Sequence, residues 1–215
     1  MFDKIKKYLR ILVLSSILLT FTGTLSTYVM LEYKAGQNAI RETHLVGEMS
    51  EISVLPVVAA IASNQDNNTL YIYINSPGGD LAAFVMIQQA LNHHKGTVIA
   101  VLKSGETAAS AAAMVFVLAD KQVIEEGGLF MMHRPSTLVN CKNPSAPTTE
   151  TCDMKKVPLE GGWQNHYVNE VVMNVVKIAI KKCLIPASDY GRILAGEDVY
   201  HTSGELLEAK KSCGK

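Results

Sequence analysis

The run Tyr-Ile-Tyr-Ile-Asn-Ser-Pro-Gly-Gly-Asp at residues 71–80 restricts the fold more than any other part of this chain. Two Tyr-Ile repeats make a β-branched and aromatic segment, which predicts a buried strand over 71–75. Pro77 lacks an amide hydrogen and is expected to stop that strand. Gly78 and Gly79 can take backbone angles closed to other residues and bring bare amides close to a neighbour. Beyond them Leu81, Phe84, Ile87 and Leu91 recur at helical spacing, with Asp80 at the N-cap. Strand, Gly-Gly turn and helix start together offer N–H groups to negative charge, either a phosphate or a transient oxyanion. A tight βα turn without a ligand is the plain alternative.

The rest of the chain repeats this alternation. His44 to Met49 reads as a first strand, and Ile52 to Ala62 as a helix with Pro56 tolerated in its first turn. The helix from Leu81 closes at Lys95-Gly96, and Thr97 to Leu102 is a β-branched run, hence a parallel strand reached by a crossover. Gly105 to Met114 is a small-residue stretch leading into apolar Val115 to Leu118, suited to a helix packed hard on a sheet. Gln122 to Glu125 and Leu129 to His133 follow as strands, and this order predicts an α/β fold with a mostly parallel sheet. Arg134 to Pro158 reads as an irregular loop with Pro135, Pro144 and Pro147. Tyr167 to Cys183 reads as a long helix, and the tail as short helical pieces broken at Gly191, Gly196 and Gly204.

The chain has 215 residues, enough for one α/β domain with a core. Its 20 basic and 20 acidic residues cancel, so charge gives no argument for a nucleic-acid partner. Lys4, Lys6, Lys7 and Arg10 precede 21 uncharged residues, Ile11 to Leu31. That length spans a bilayer as a helix, and its core would also serve as a secretory signal. The expected organisation is an anchor or signal over 1–32, a linker over 33–43 and a folded domain over 44–215. The domain would lie outside the cytoplasm, in the periplasm, or be secreted if the segment is cleaved. The four cysteines, Cys141, Cys152, Cys183 and Cys213, all follow that segment, in keeping with export. Of three possible connectivities, 141 with 152 and 183 with 213 is the expected one. The 141–152 loop would then be a closed insertion gating a site beside His133. Neither Cys-x-x-Cys nor clustered histidine occurs, so no metal is expected, and no other cofactor.

Ser110 follows a strand and a glycine and opens a helix whose first amides favour developing negative charge. The amide of Ala111 could pair with that of Gly79 as an oxyanion hole, provided the two turns are neighbours at the carboxyl ends of adjacent strands. His133 ends a strand of the same unit and could take the serine proton. Taken singly, Ser110 as a small core residue and His133 as a rim histidine are the bland readings.

From His44 to Leu207 the chain resembles the proteolytic subunit of Clp protease. Tyr-Ile-Asn-Ser-Pro-Gly-Gly at 73–79 resembles the family's oxyanion turn, Thr107-Ala108-Ala109-Ser110-Ala111 its nucleophile motif, and Met131-Met132-His133-Arg134-Pro135 the strand carrying its base. The resemblance implies the Clp–crotonase spiral of ββα units, peptide-bond hydrolysis through an acyl-enzyme, Ser110 as nucleophile and His133 as base. The family's acid precedes a motif that Tyr200 to Ala209 resembles. Strict register puts Leu194 or Ala195 there; the nearest acids are Glu197 and Asp198, and Asp198 is the choice for the third residue. The family forms rings and docks an ATP-driven unfoldase. For an exported copy the expected partners are instead a peptide or protein substrate, the membrane and further copies of itself, with no nucleic acid and no unfoldase. Two other readings stand beside this one. One is a signal-peptide-peptidase-A-like enzyme with Lys155 or Lys156 as base. The other is an inactive anchored scaffold of the same fold.

Overall fold

The Tyr-Ile run forms the middle of strand β2 (Thr69–Gly79) in the structure, a computed structural model that describes residues 42–63, 68–139, 155–158 and 163–213. Its two-residue period buries Leu70, Ile72, Ile74 and Ser76 on one face. On one side β2 pairs in parallel with β1 (Glu42–Met49) over most of its length. On the other side β3 (Thr97–Leu102) pairs with Thr69 to Tyr73, and β4 (Thr107–Ala109) takes over at Ser76. Because β2 changes partner midway, the sheet curls around it. Beyond β3 lies β5 (Lys121–Ile124), and beyond β4 lies β6 (Leu129–Met132), both parallel to their neighbours. The result is the predicted α/β architecture with a mostly parallel sheet.

The strand does not stop at Pro77. The β1–β2 register jumps from Val46↔Asn75 to Glu48↔Gly78, so Ser76 and Pro77 together face Gly47. This is a β-bulge, and it receives the proline where its missing N–H is not needed by β1. Ser76, fully buried, stabilises the bulge by donating to the Gly47 carbonyl (2.5 Å) and accepting from the Gly78 amide (3.1 Å).

Helix α1 (Leu55–Ser63) starts three residues later than the periodicity predicts, because the Ser50 and Ser53 amides each donate to the other's hydroxyl and hold 50–53 in a turn. Helix α2 (Leu81–His93) follows β2; Asp80 sits at its N-cap, but the carboxylate bonds no helix amide. Helix α3 (Ala111–Leu118) is buried from Ala111 through Val117. Its alanines let it approach β2, α2 and the long α4 (Trp163–Lys181) closely. Phe116 of α3 meets Phe130 of β6 with ring centroids 5.9 Å apart, and both are fully buried. Such a pair adds about 0.5–1.5 kcal/mol beyond burial and fixes the helix over the strand. Lys182, just after α4, donates to the Val117 and Ala119 carbonyls at the end of α3 (2.9 and 2.6 Å), where a cation suits the helix dipole.

In the tail, α5 (Asp189–Leu194) contains Gly191 and α6 (Ser203–Cys213) contains Gly204 in its first turn, so neither glycine breaks a helix as expected. Gly196, at φ 92°, does reverse the chain. It leads to a strand not foreseen, β9 (Val199–Thr202), antiparallel to β6. Cys183 and Cys213 form a disulfide joining the ends of α4 and α6, as expected.

The supposed loop from Arg134 to Pro158 also contains two strands, β7 (Ser136–Val139) and β8 (Lys155–Pro158), paired antiparallel. Four-residue strands with a distant partner leave little period to read. The Cys141–Cys152 segment between them lies outside the described residues, as does the hydrophobic segment over 1–32. Residues from Arg41 onward form one compact unit. Among the described residues no helix is long and apolar enough to cross a membrane.

Candidate active site

Ser110 occupies the one-residue step between β4 and α3. Its backbone sits at φ 53°, ψ −123°, a conformation that costs a non-glycine residue about 1–3 kcal/mol and persists only when its surroundings hold it. They do so from two directions. The Ser110 amide donates to the Met131 carbonyl of β6 (2.9 Å), and its carbonyl accepts from Met114 in the first turn of α3 (3.1 Å). The turn exposes the hydroxyl at the carboxyl ends of the strands, where parallel sheets place their sites.

Gly78 explains why the end of β2 can lie against this turn. A Cβ there would come within 2.6–2.8 Å of the Ala109 carbonyl, Ser110 Cβ and the Ala111 nitrogen. Gly79 presses on the other side, where a Cβ would overlap the Met49 backbone. The glycine pair is therefore a steric requirement of bringing β1, β2 and the serine turn together. Ala111 opens α3, and amides of the first helical turn have no acceptor within the helix.

His133 follows the last residue of β6. Its Nε2 lies 2.7 Å from Ser110 Oγ. Its Nδ1 lies 3.3 Å from Asp198 Oδ1, a longer contact at the edge of ordinary hydrogen-bond reach. The β6–β9 ladder accounts for this pairing, because Met131↔Tyr200 and Met132↔Val199 make 133 and 198 the next facing pair. Arg134 turns to α4, donating from Nε to Asn169 Oδ1 (2.9 Å), and so secures the chain just past the histidine.

These groups share one cavity of about 270 Å³, lined by Gly79, Ser110, Ala111 and His133. Leu81, Met114, Pro135, Val168 and Val172 make its walls mainly apolar, with Asp80 as a charged member. Ser110, His133, Gly79 and Ala111, the sequence-predicted residues, thus meet in one place, with Asp198 behind the histidine. Glu197, the competing acid, pairs with Arg192 instead (2.9 Å). Leu194 and Ala195, the strict-register positions, end α5 and follow it. Lys155 and Lys156 fall on β8, opposite Val139 and Leu138. Among the described residues no group of three or more His, Cys, Asp or Glu side chains could hold a metal ion.

Sequence reasoning overlooked β9 and the α4 wall of the cavity. A local signal for β9 was present. Thr202 and Glu205 form a capping box, with the Thr202 amide donating to Glu205 Oε2 (2.7 Å) and the Glu205 amide to Thr202 Oγ1 (3.3 Å). A box there starts α6 at Ser203 and leaves 199–202 extended. The hydrogen bond from the Thr202 backbone holds the Glu205 carboxyl below its ordinary range.

With fold and geometry in hand, comparison with known proteins defines the class. The Clp protease family model matches residues 37–154, more than half of the chain, and the chain belongs to that family. It is also similar to the "ATP-dependent Clp protease proteolytic subunit" of Chlorella vulgaris, 30% identical over 84 residues. That match covers 38% of this chain and 41% of the relative, so the chain spans well under half of that protein's length.

Proposed function

We propose that this chain is a serine peptidase with Ser110 as nucleophile, His133 as general base and Asp198 as the orienting acid. The observation that carries the reading is the 2.7 Å contact between His133 Nε2 and Ser110 Oγ on a strained strand-to-helix turn. In the reaction, His133 takes the hydroxyl proton as Oγ attacks the scissile carbonyl. The carbonyl oxygen becomes an oxyanion held by the amides of Gly79 and Ala111, both on the cavity wall. His133, now imidazolium and steadied by Asp198, returns the proton to the leaving amine. Water then enters, His133 takes its proton, and hydrolysis of the acyl-enzyme restores Ser110. The apolar walls favour a substrate with a medium-sized apolar side chain next to the scissile bond, and Asp80 disfavours an acidic one.

The Ser-Lys and inactive-scaffold readings gain no comparable observation. Export behind an uncleaved anchor, with the domain in the periplasm, is supported by the basic-then-uncharged N-terminus and by the Cys183–Cys213 pair. In that compartment the enzyme would act on peptides or proteins as a homo-oligomer without an ATP-driven unfoldase.

The test is hydrolysis of fluorogenic peptides carrying Leu or Met before the scissile bond. The full-length protein should turn them over, and Ser110→Ala should fall to background. Equal turnover by Ser110→Ala would exclude the mechanism.

A further inference from the structure

A second histidine–carboxylate pair lies beside the first, and nothing in the proposed reaction uses it. Asp189, the first residue of α5, is only 3% exposed. A buried carboxylate persists only when it is paired. Here two donors meet it. His201 Nε2 on β9 lies 2.6 Å from Oδ2, and Arg192 Nη1, one turn along α5, lies 3.4 Å from Oδ1. The same Arg192 donates from Nε to Glu197 Oε2 at 2.9 Å.

Between α5 and β9 the chain has only four residues, 195–198, and the last is Asp198. Backbone bonds fold this segment onto α5: the amides of Ala195, Gly196 and Glu197 donate to the carbonyls of Gly191, Ile193 and Arg192. The chain is therefore tied through Arg192–Glu197 just before Asp198 and through Asp189–His201 three residues after it. His201 itself faces Phe130 in the ladder that sets 198 opposite 133.

We infer that Asp189, with His201 and Arg192, is a positioning device that holds the Asp198 carboxylate on His133 Nδ1. The inference rests on the Ser110–His133–Asp198 reading and goes one step beyond it. Asp189 touches neither substrate nor reacting atoms, and it acts through Asp198 alone. The long 3.3 Å contact makes this support matter, because a carboxylate at the limit of its reach is lost with a small displacement.

The experiment is a double-variant cycle in the full-length protein, read as kcat and KM for peptide hydrolysis. Asp189→Asn should lower kcat by about 10- to 100-fold, the scale of an ångström-sized misplacement, with KM unchanged. In an Asp198→Ala background the same substitution should change kcat by less than about twofold, since the group it positions is gone. Should Asp189→Asn fail to fold, the exposed pair carries the test. Arg192→Gln should then lower kcat in the same direction, and again only when Asp198 is present. Equal losses in both backgrounds, or a loss confined to KM, would overturn the inference and leave the proposed reaction standing. A folded wild type without Ser110-dependent turnover would overturn that reaction, and the positioning role with it.

Discussion

The two histidine–carboxylate pairs of this molecule invite opposite uses. His201–Asp189 is the closer pair, at 2.6 Å against 3.3 Å, and the drier one, with side-chain exposures of 12% and 4%. His133–Asp198 has exposures of 13% and 35%. If a short, buried contact were enough to mark a catalytic pair, His201 and not His133 would be the candidate base. The difference lies on the other ring nitrogen. His133 presents Nε2 to a hydroxyl held on a strained turn at the wall of a cavity. His201 presents Nδ1 to Glu205, 4.0 Å away. The first pair faces a hydroxyl and a cavity; the second joins α5 to β9.

The comparison breaks most sharply at Asp198. Asp198→Asn should lower kcat by about 10²- to 10⁴-fold, the scale seen when a triad aspartate is neutralised. The melting temperature should barely move, since the carboxylate is one-third exposed. The converse change is His201→Phe, which strands a buried carboxylate with only Arg192. It should cost about 3 kcal/mol of stability, read by urea unfolding, while kcat falls no more than in Asp189→Asn and less than in Asp198→Asn. Comparable losses of kcat in the two variants would erase the distinction.

A similar stability effect is expected at the disulfide, which lines a cavity of about 440 Å³ together with His201 and Glu205. Replacing Cys183 and Cys213 together by Ser should cost about 3–4 kcal/mol on the loop-entropy argument, given their separation of 30 residues. Turnover at 25 °C should be retained. The smallest effect belongs to Glu205. The Thr202 backbone bond holds its folded carboxyl below the ordinary glutamate value, so its contribution is complete above that ordinary value and is lost as pH falls through the lowered one. Unfolding of Glu205→Gln and wild type should therefore differ at neutral pH and converge in acid. A gap that persists in acid would assign the difference to packing.

What the sequence made legible follows the range of the interactions involved. Thr97 to Leu102 forms the predicted strand because a β-branched run between turn residues is decided locally. That Ser110, His133, Gly79 and Ala111 lie together was readable because each stands at or just past a strand end with its own local motif, and parallel strands bring such ends together. Pro77 misled because its place in a bulge depends on Gly47, 30 residues earlier. Lys155 to Pro158 and Ser136 to Val139 were hidden for the same reason, each being a strand only beside the other. Asp198 was chosen over Glu197 without a local signal, since which of the two faces His133 depends on the antiparallel β6–β9 register and on Arg192, which holds Glu197.

The most direct test of the central claim is fluorophosphonate labelling of the full-length protein, with the modified residue mapped by mass spectrometry. A single adduct on Ser110 is predicted, lost in His133→Ala and kept when Lys155 and Lys156 are both Ala. A folded protein that takes no label, or one whose labelling depends on the lysines and survives His133→Ala, would contradict it.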